Sequence, residues 1–545
     1  MIQKWLRIAN GIIGAGLIFL MLFANQIGLD NNPIWGIKRY ILFLISLFLL
    51  TVSLFYREHN FIGQAIHTST GRFYLAVFML CGFIIIIYIW FISIGLWTSW
   101  PNETSYYDLL ATAFSKGQLA VDIQPDPALL SMENVYEPAN REGIPMLWDA
   151  TLYKGKYYLY WGPSPALFLA IFKLFSQQEI GDKVITFIFT SGTFIFAALL
   201  ILELWKKYFL ETPPWAIFSA IAFVGLANPI LYILIEARIY EAAIITGQFF
   251  IVGGIYWLFK AFSRPSILSL SMAGAFLALA VGSRTTLTLS VGILAFITLL
   301  WTLKTQRENF WSYILAFALP LVIGALSYLW YNHARFDSFT EFGLTYQLTS
   351  YNLKESLGKT FSPAYIPPNF YKTLFNGLEN RVEFPYIILS RWTGPDWLKG
   401  RYPDFYLLLA EAITGIFTAS PFMAFAFLAW LNKDKTFRWV LLSLTGSAFM
   451  VFLMLQFFFF TTMRYLLDLT PTLSILAVTG FWQGLEQFKK HPAARWVFST
   501  FSLALLLFTI SMAFMLPIIG HLEAYRVFNP ALLEQITWRV NALVK

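Results

Sequence analysis

Residues 102–169 read NETSYYDLLATAFSKGQLAVDIQPDPALLSMENVYEPANREGIPMLWDATLYKGKYYLYWGPSPALFL. This polar, carboxylate-rich and tyrosine-rich stretch sits between two apolar runs, 73–98 and 183–203. Each run reaches the roughly 20 residues that a helix needs to cross a bilayer. A membrane protein has no packing reason to keep such a segment between two spans, so chemistry is sought there first.

The rest of the chain carries the same message. Of 545 residues, 58% are hydrophobic and only 12% charged, against about a quarter charged in a soluble domain. Mean hydropathy is +0.62. The chain reads as an all-α polytopic membrane protein. About thirteen transmembrane helices are expected, near 9–28, 40–56, 73–98, 183–203, 215–234, 241–259, 267–281, 286–303, 311–331, 405–430, 437–460, 466–485 and 496–518. The basic, apolar N-terminus lacks a small-residue cleavage site and reads as a retained span rather than a signal peptide.

The net charge of +8 is not a nucleic-acid footprint, because its cations fall in alternate short loops. Lys4 and Arg7, Arg57 and Arg72, Lys206 and Lys207, Lys260 and Arg264, Lys304 and Arg307, Lys433, Lys435 and Arg438, and Lys489, Lys490 and Arg495 then mark the cytoplasmic side. That alternation requires the short run 162–175 to lie at the interface rather than cross. It also leaves two large outer loops, 99–182 and 332–404. The first is expected to hold a helix over SYYDLLATAFSKG and a hairpin turning at Lys154–Gly155. The second reads as an ordered lid with little core of its own; loops of such length are usually functional. Cys81 lies in an apolar run and reads as an inert thiol. The five histidines, His59, His67, His333, His491 and His521, show no ligand spacing.

Ionisable residues concentrate at the outer ends of the spans: Glu103, then Glu236, Arg238 and Glu241, then Arg284, then Arg464 and Asp468. Charge at membrane depth marks a working site by default. A polar cavity with carboxylates above, cations at the bilayer edge and aromatic rings around suits a sugar carried on a polyprenyl phosphate. A carboxylate takes the acceptor's proton, cations stabilise the leaving phosphate, and Tyr and Trp face sugar rings. Tyr106, Tyr107, Tyr158, Trp161 and Glu241 are the candidates for sugar or acceptor contact. No nucleotide-binding glycine loop is present, and none is needed for a lipid-linked donor.

The succession YYDLLATAFSKGQL, WDATLYKGKYYLYWGPSPAL, YEAAI, GSRTT, YNHARFDSFTEFGLTYQL and RYLLDLTP resembles the large bacterial membrane glycosyltransferases of the GT-C fold. Its layout is similar to that of the protein mannosyltransferases and the lipid A aminoarabinose transferases. The likeness divides the chain into a two-span N-terminal addition (1–72), a GT-C-like catalytic module (73–487), and a last span with an outer tail (488–545). It implies an inverting transfer from a polyprenyl-phosphate sugar to a glycan, lipid or protein of the cell envelope. The setting it implies is the bacterial inner membrane, with the N-terminus cytoplasmic and the site facing outward. An acidic residue just after the first core span is the implied general base. The family position usually carries Asp–Glu, and here it reads Asn102–Glu103. Glu103 therefore ranks first as base, Asp149 second and Asp108 third. For the donor phosphate the candidates are Arg464 and Arg284, then Arg238 and Lys156.

Members of the resembled group differ on metal use, and no spacing decides it here; Glu103, Asp149, Asp122 and Asp126 stay open as divalent-ion ligands. No other cofactor is implied. Asn102-Glu103-Thr104 also spells an N-glycosylation sequon, a triplet common by chance. Three other readings stay in view. One is a polymerase or ligase of polyprenyl-diphosphate-linked glycans, another a transporter of lipid-linked sugars, and the third an inactive scaffold. A transporter places charges near the midplane on broken helices, whereas here they fall at the outer ends.

Overall fold

The computed structural model describes residues 2–27, 29, 37–55, 69–227, 229–398, 406 and 411–544. Arg57, His59, His67, the ends of the expected spans at 28 and 56, and most of 405–410 lie outside the described residues, as do the side chains of Lys4 and Arg7. The chain is a bundle of apolar helices with two small two-stranded hairpins. Among the described residues seven helices are long and apolar enough to cross a membrane: Ser69–Ile92, Asp182–Tyr208, Ile239–Ser263, Thr285–Thr305, Arg307–Phe336, Phe437–Phe457 and Pro492–Gly520. Shorter apolar helices, among them Pro214–Leu226, Ile267–Ser283 and Pro421–Leu431, pack between them. This is a multi-pass membrane protein.

Helix Ile239–Ser263 is the centre of the bundle. It is apolar on every side, as an interior helix must be, and it packs between Asp182–Tyr208 and Ile267–Ser283. Arg307–Phe336 lies at the periphery, with Trp311, Leu315, Leu319, Ile323, Leu326 and Trp330 exposed. Both long loops leave the bundle at one end. At the other end the basic turns meet: Lys207 donates to Ser263 at 2.9 Å, Lys260 lies 2.8 Å from Glu203, and Lys489 pairs with Glu211.

Three expected spans differ in outline. The helix of 73–98 stops at Ile92, where Ile94, Gly95 and Trp97 take positive φ and turn the chain into the first loop. The run 215–234 is two pieces, Pro214–Leu226 and Ile230–Ile235, since Pro229 cannot continue the helix. In the run 405–430 the described helical parts are the short helix Ile416–Ala419 and the 3₁₀ stretch Pro421–Leu431, so Glu411 belongs to the loop and not to a span.

The first loop takes the expected local forms. A helix covers Tyr106–Ser115, and Gly117 leaves it at φ 71°. Thr151–Tyr153 pairs with Lys156–Tyr158 around Lys154 and Gly155, both at positive φ, the backbone that a tight right-twisted hairpin requires. Helix Ser164–Lys173 is 10 residues long, about 15 Å, too short to cross. Its Lys173 Nζ lies 2.6 Å from Asp108 Oδ1, with side-chain exposures of 2% and 8%, and the same oxygen accepts the Ile180 N–H at 2.9 Å. That pair ties helix Tyr106–Ser115 to helix Ser164–Lys173.

The second loop is organised by two buried asparagines. Asn369 Nδ2 donates to the carbonyls of Leu455, Gln456 and Phe458, and Asn376 Nδ2 to those of Ser390 and Ile413. Tyr365, Tyr406 and Phe459 form a small cluster of their own. The start of this loop braces the first: Thr151 bridges to Gln347, Asp149 and Ala150 exchange backbone bonds with Leu348 at 3.0 and 2.9 Å, and Arg335 donates to the Leu159 carbonyl at 2.6 Å.

Removing one member of the buried Lys173–Asp108 pair leaves the other charge uncompensated. Lys173→Met is expected to cost about 3–5 kcal/mol, and a second change, Asp108→Asn, to recover most of it. Thermal unfolding of the two variants checks this; equal midpoints would contradict it.

Candidate functional site

The charges expected at the span ends converge at the loop end of the bundle. Arg238, in the turn before helix Ile239–Ser263, has its guanidinium 4.0 Å from Glu103 Oε2 and 3.5 Å from Glu236 Oε2. Its backbone N–H donates to Glu241 Oε2 at 3.0 Å, so Glu241 caps its own helix. His521, ending helix Pro492–Gly520, brings Nδ1 to 3.2 Å from Glu236 and stacks on Tyr232 with centroids 4.2 Å apart. Burial pushes Glu236 up, but His521, Arg238 and Lys183 outweigh it and hold the carboxyl below its ordinary range. Burial likewise lowers Arg238, and Glu241, Glu236 and Glu103 more than reverse it.

A second group lies beside this one. Arg464 donates to both oxygens of Glu411, at 2.9 and 3.3 Å, and Thr462 donates to the same carboxylate. Burial works against the Arg464 charge, but Glu411 first, then Tyr465 and Glu241, hold it firmly on. Arg284, at the end of Ile267–Ser283, places Nη2 2.8 Å from Asp468 Oδ2, and Gln248 donates to the Asp468 carbonyl at 2.8 Å. The Arg284–Asp468 contact is one of charge rather than an aligned hydrogen bond, and Oδ1 has no hydrogen-bond partner among the described residues.

Two tyrosine rings join the three arginines. Arg238 and Arg464 lie 5.9 and 5.0 Å from the Tyr240 centroid, and Arg464 and Arg284 lie 5.7 and 5.3 Å from that of Tyr465. The result is a ladder: Arg238, Tyr240, Arg464, Tyr465, Arg284. Tyr240 also donates its hydroxyl to Asp149 and meets Trp161 edge-on at 5.5 Å. Trp161 in turn stacks at 4.2 Å with Tyr160 and lies 5.7 Å from Tyr106. Burial, then the charges of Asp149 and Asp182, push the Tyr106 phenol up to about 12, so it stays a donor, here to the Trp148 carbonyl at 2.9 Å.

Trp161 is set over the site by a close backbone approach. A Cβ on Gly162 would fall 2.1 Å from the Gly282 carbonyl, so only glycine lets this loop rest on the turn that carries Arg284. Asp149 is at φ 58°, a left-handed conformation that costs a non-glycine residue on the order of 1 kcal/mol and that the backbone bonds of Asp149 and Ala150 to Leu348 retain.

The structure thus brings together Glu103, Asp149, Arg238, Arg284, Arg464, Glu241, Tyr106 and Trp161. It sets other candidates apart. Asp108 is committed to Lys173 and the Ile180 amide. Tyr107 is fully buried and its hydroxyl has no partner among the described residues, Tyr158 packs on Phe336 at 5.4 Å, and Lys156 is exposed on the hairpin. Asp122 pairs with Lys116, and Asp126 caps the short helix Pro127–Ser131. No group of three His, Cys, Asp or Glu side chains converges as a metal site among the described residues. Sequence reasoning missed Tyr240, Tyr465, Glu411, Thr104 and Asp182. For the tyrosines a signal was at hand, since each lies within two residues of an arginine already singled out.

No protein-family model matches the chain, and no curated protein matches it in sequence. Among solved structures the chain is similar to the apo oligosaccharyltransferase of Archaeoglobus fulgidus, with a TM-score of 0.42 and 11% identity, over 81% of this chain and 55% of that one. It is also similar to ArnT of Cupriavidus metallidurans bound to undecaprenyl phosphate, with a TM-score of 0.42 and 13% identity, over 86% of this chain and 78% of that one. The chain therefore spans about half the length of the archaeal enzyme.

Tyr240 tests the ladder. Tyr240→Phe keeps the ring and is expected to cost about 1 kcal/mol for the lost bond to Asp149. Tyr240→Ala also removes the ring beside two guanidiniums and is expected to cost about 3–5 kcal/mol. Unfolding midpoints that fall equally for the two would mean the ring itself does not matter.

Proposed function

We propose that this protein is an inverting glycosyltransferase of the GT-C fold. It moves a sugar from a polyprenyl phosphate to a glycan, lipid or protein acceptor on the outer face of a bacterial inner membrane. The observation that carries this reading is the arginine–tyrosine ladder, flanked by Glu103 and Asp149, at the helix ends beneath both long loops.

The chemistry follows from the charges. The acceptor hydroxyl gives its proton to a carboxylate as its oxygen bonds to the anomeric carbon, and the anomeric carbon–phosphate oxygen bond breaks. One displacement inverts that carbon. The electron pair leaves on the phosphate, where Arg464 and Arg284 stabilise the developing charge more than that of the bound donor. Glu103, held 4.0 Å from Arg238, is the first candidate for the base and Asp149, held by Tyr240, the second. Tyr106, half-buried and backed by the buried Trp161, is the ring beside them that can face a sugar. The peripheral helix Arg307–Phe336, with its apolar face exposed, is consistent with a donor whose tail remains in lipid.

One observation favours a second reading. The ladder holds three arginines, more than a single phosphate needs, which suits a polyprenyl-diphosphate donor such as a glycan polymerase or ligase would use.

The protein in nanodiscs, offered short-chain polyprenyl-phosphate sugars, is expected to release polyprenyl phosphate. Loss of the general base lowers turnover about 10²–10⁴-fold, so Glu103→Gln is expected to fall in that range while Asp149→Asn falls less. The reverse order would move the base to Asp149. Release only from diphosphate-linked donors would select the second reading, and no release from either, with acceptor extracts present, would reject transfer altogether.

A further inference from the structure

The residue after Glu103 makes contacts that its neighbours do not. Thr104 Oγ1 donates to Asp182 Oδ2 at 2.6 Å and accepts the Ile239 N–H at 3.0 Å. A hydroxyl has one proton and two lone pairs, so the two bonds are compatible only in that sense: the proton goes to the carboxylate, and a lone pair faces the amide. Asp182 is completely buried. Its carboxylate also accepts the N–H groups of Tyr106 and Tyr107 at 3.0 and 3.2 Å, and its own N–H donates to the Thr104 carbonyl at 2.9 Å.

One hydroxyl therefore fastens three parts of the chain. These are the entry to the first loop, helix Asp182–Tyr208 through Asp182, and helix Ile239–Ser263 through its first amide. The residues that precede the two clamped positions are Glu103 and Arg238, and their side chains meet at 4.0 Å. That contact is longer than a charge-assisted hydrogen bond, so it does not hold the two backbones in register by itself. The Thr104 clamp does, with bonds of 2.6 and 3.0 Å. The Asp182 carboxylate, at the start of helix Tyr106–Ser115, faces the partial positive charge of that helix end as well as two of its amides. Its orientation is thus set by three donors, two on Oδ2 and one on Oδ1.

We infer that Thr104, held by Asp182, is a positioning residue that sets the distance between Glu103 and Arg238. This rests on the transferase reading above.

The test uses Thr104→Val, which keeps shape but removes the hydroxyl, beside Thr104→Ser, which keeps it. In the full-length protein in nanodiscs, Thr104→Val is expected to lose kcat about 10²-fold, the scale of a misplacement near 1 Å. Its affinity for polyprenyl phosphate alone should stay within about twofold, and Thr104→Ser should stay near wild type. Hydrogen exchange read by mass spectrometry over the peptide containing Ile239 is expected to speed up in Thr104→Val only. Unchanged exchange there would overturn the clamp whatever the activity. Faster exchange with wild-type kcat would overturn the positioning role. A wild type that transfers from no donor, but still shows the exchange difference, would retire the transferase reading and the positioning role with it, while leaving the clamp in place.

Discussion

Three guanidinium groups held at the edge of an apolar bundle repel one another, and the site depends on how that repulsion is managed. The rings of Tyr240 and Tyr465 lie beside them, each with two arginines 5.0–5.9 Å from its centroid. An aromatic face attracts a cation by about 0.5–2 kcal/mol, more where water is excluded. A ring close to two cations therefore offsets part of their repulsion. Carboxylates complete the balance from outside the ladder: Glu103 and Glu236 on Arg238, Glu411 on Arg464, and Asp468 on Arg284. Each arginine comes from a different helix end, so the ladder also binds those ends together.

The fold serves this arrangement by delivering helix ends rather than helix middles. Ile239–Ser263 begins at Arg238, Ile267–Ser283 ends at Arg284, and Arg464 stands just before Thr470–Gln487. Charges at helix ends can reach water, which lowers the cost that the same groups would meet at the bilayer centre. The two loops then close over them as one unit. Leu348 of the second loop pairs with Asp149 and Ala150 of the first, and Arg335 donates to the carbonyl of Leu159. Asp149 thus reaches Tyr240 from above because a distant segment holds its backbone.

Whatever rested on local pattern was legible in the sequence. Apolar length located the helices, the Lys154–Gly155 pair located the hairpin, and the charged turns located Arg238, Arg284 and Arg464. The run 162–175 was legible as a helix that does not cross, since its ten helical residues are too few. What was not legible rested on pairings distant in the chain. Asp182 reads as the last residue of the first loop, and only the fold brings Thr104 to it. Glu411 sat inside an apolar run and was counted as membrane, because nothing in the run itself reveals that its helical part starts only at Ile416. Asp108 offered a carboxylate in the right loop, and only the burial of Lys173 beside it shows that the carboxylate is already engaged.

The balance of charge at the site bears on how a phosphate would enter. Each arginine of the ladder already faces a carboxylate, so an incoming phosphate competes with that carboxylate for the guanidinium. The carboxylates differ in how readily they could be exchanged. Asp468 is wholly buried against Arg284, whereas Glu411 is 39% exposed against Arg464. Exposure lowers the cost of returning a carboxylate to water, and the donor's phosphate, a singly charged diester, becomes a dianion and a stronger partner for a guanidinium only as the sugar leaves. On the transferase reading, Arg464 is therefore the rung where exchange costs least. Arg284, behind Asp468, then acts on the phosphate through its field rather than by direct contact. That ordering fits a site which binds its donor at one arginine and reserves the rest of the ladder for the charge that appears as the sugar departs.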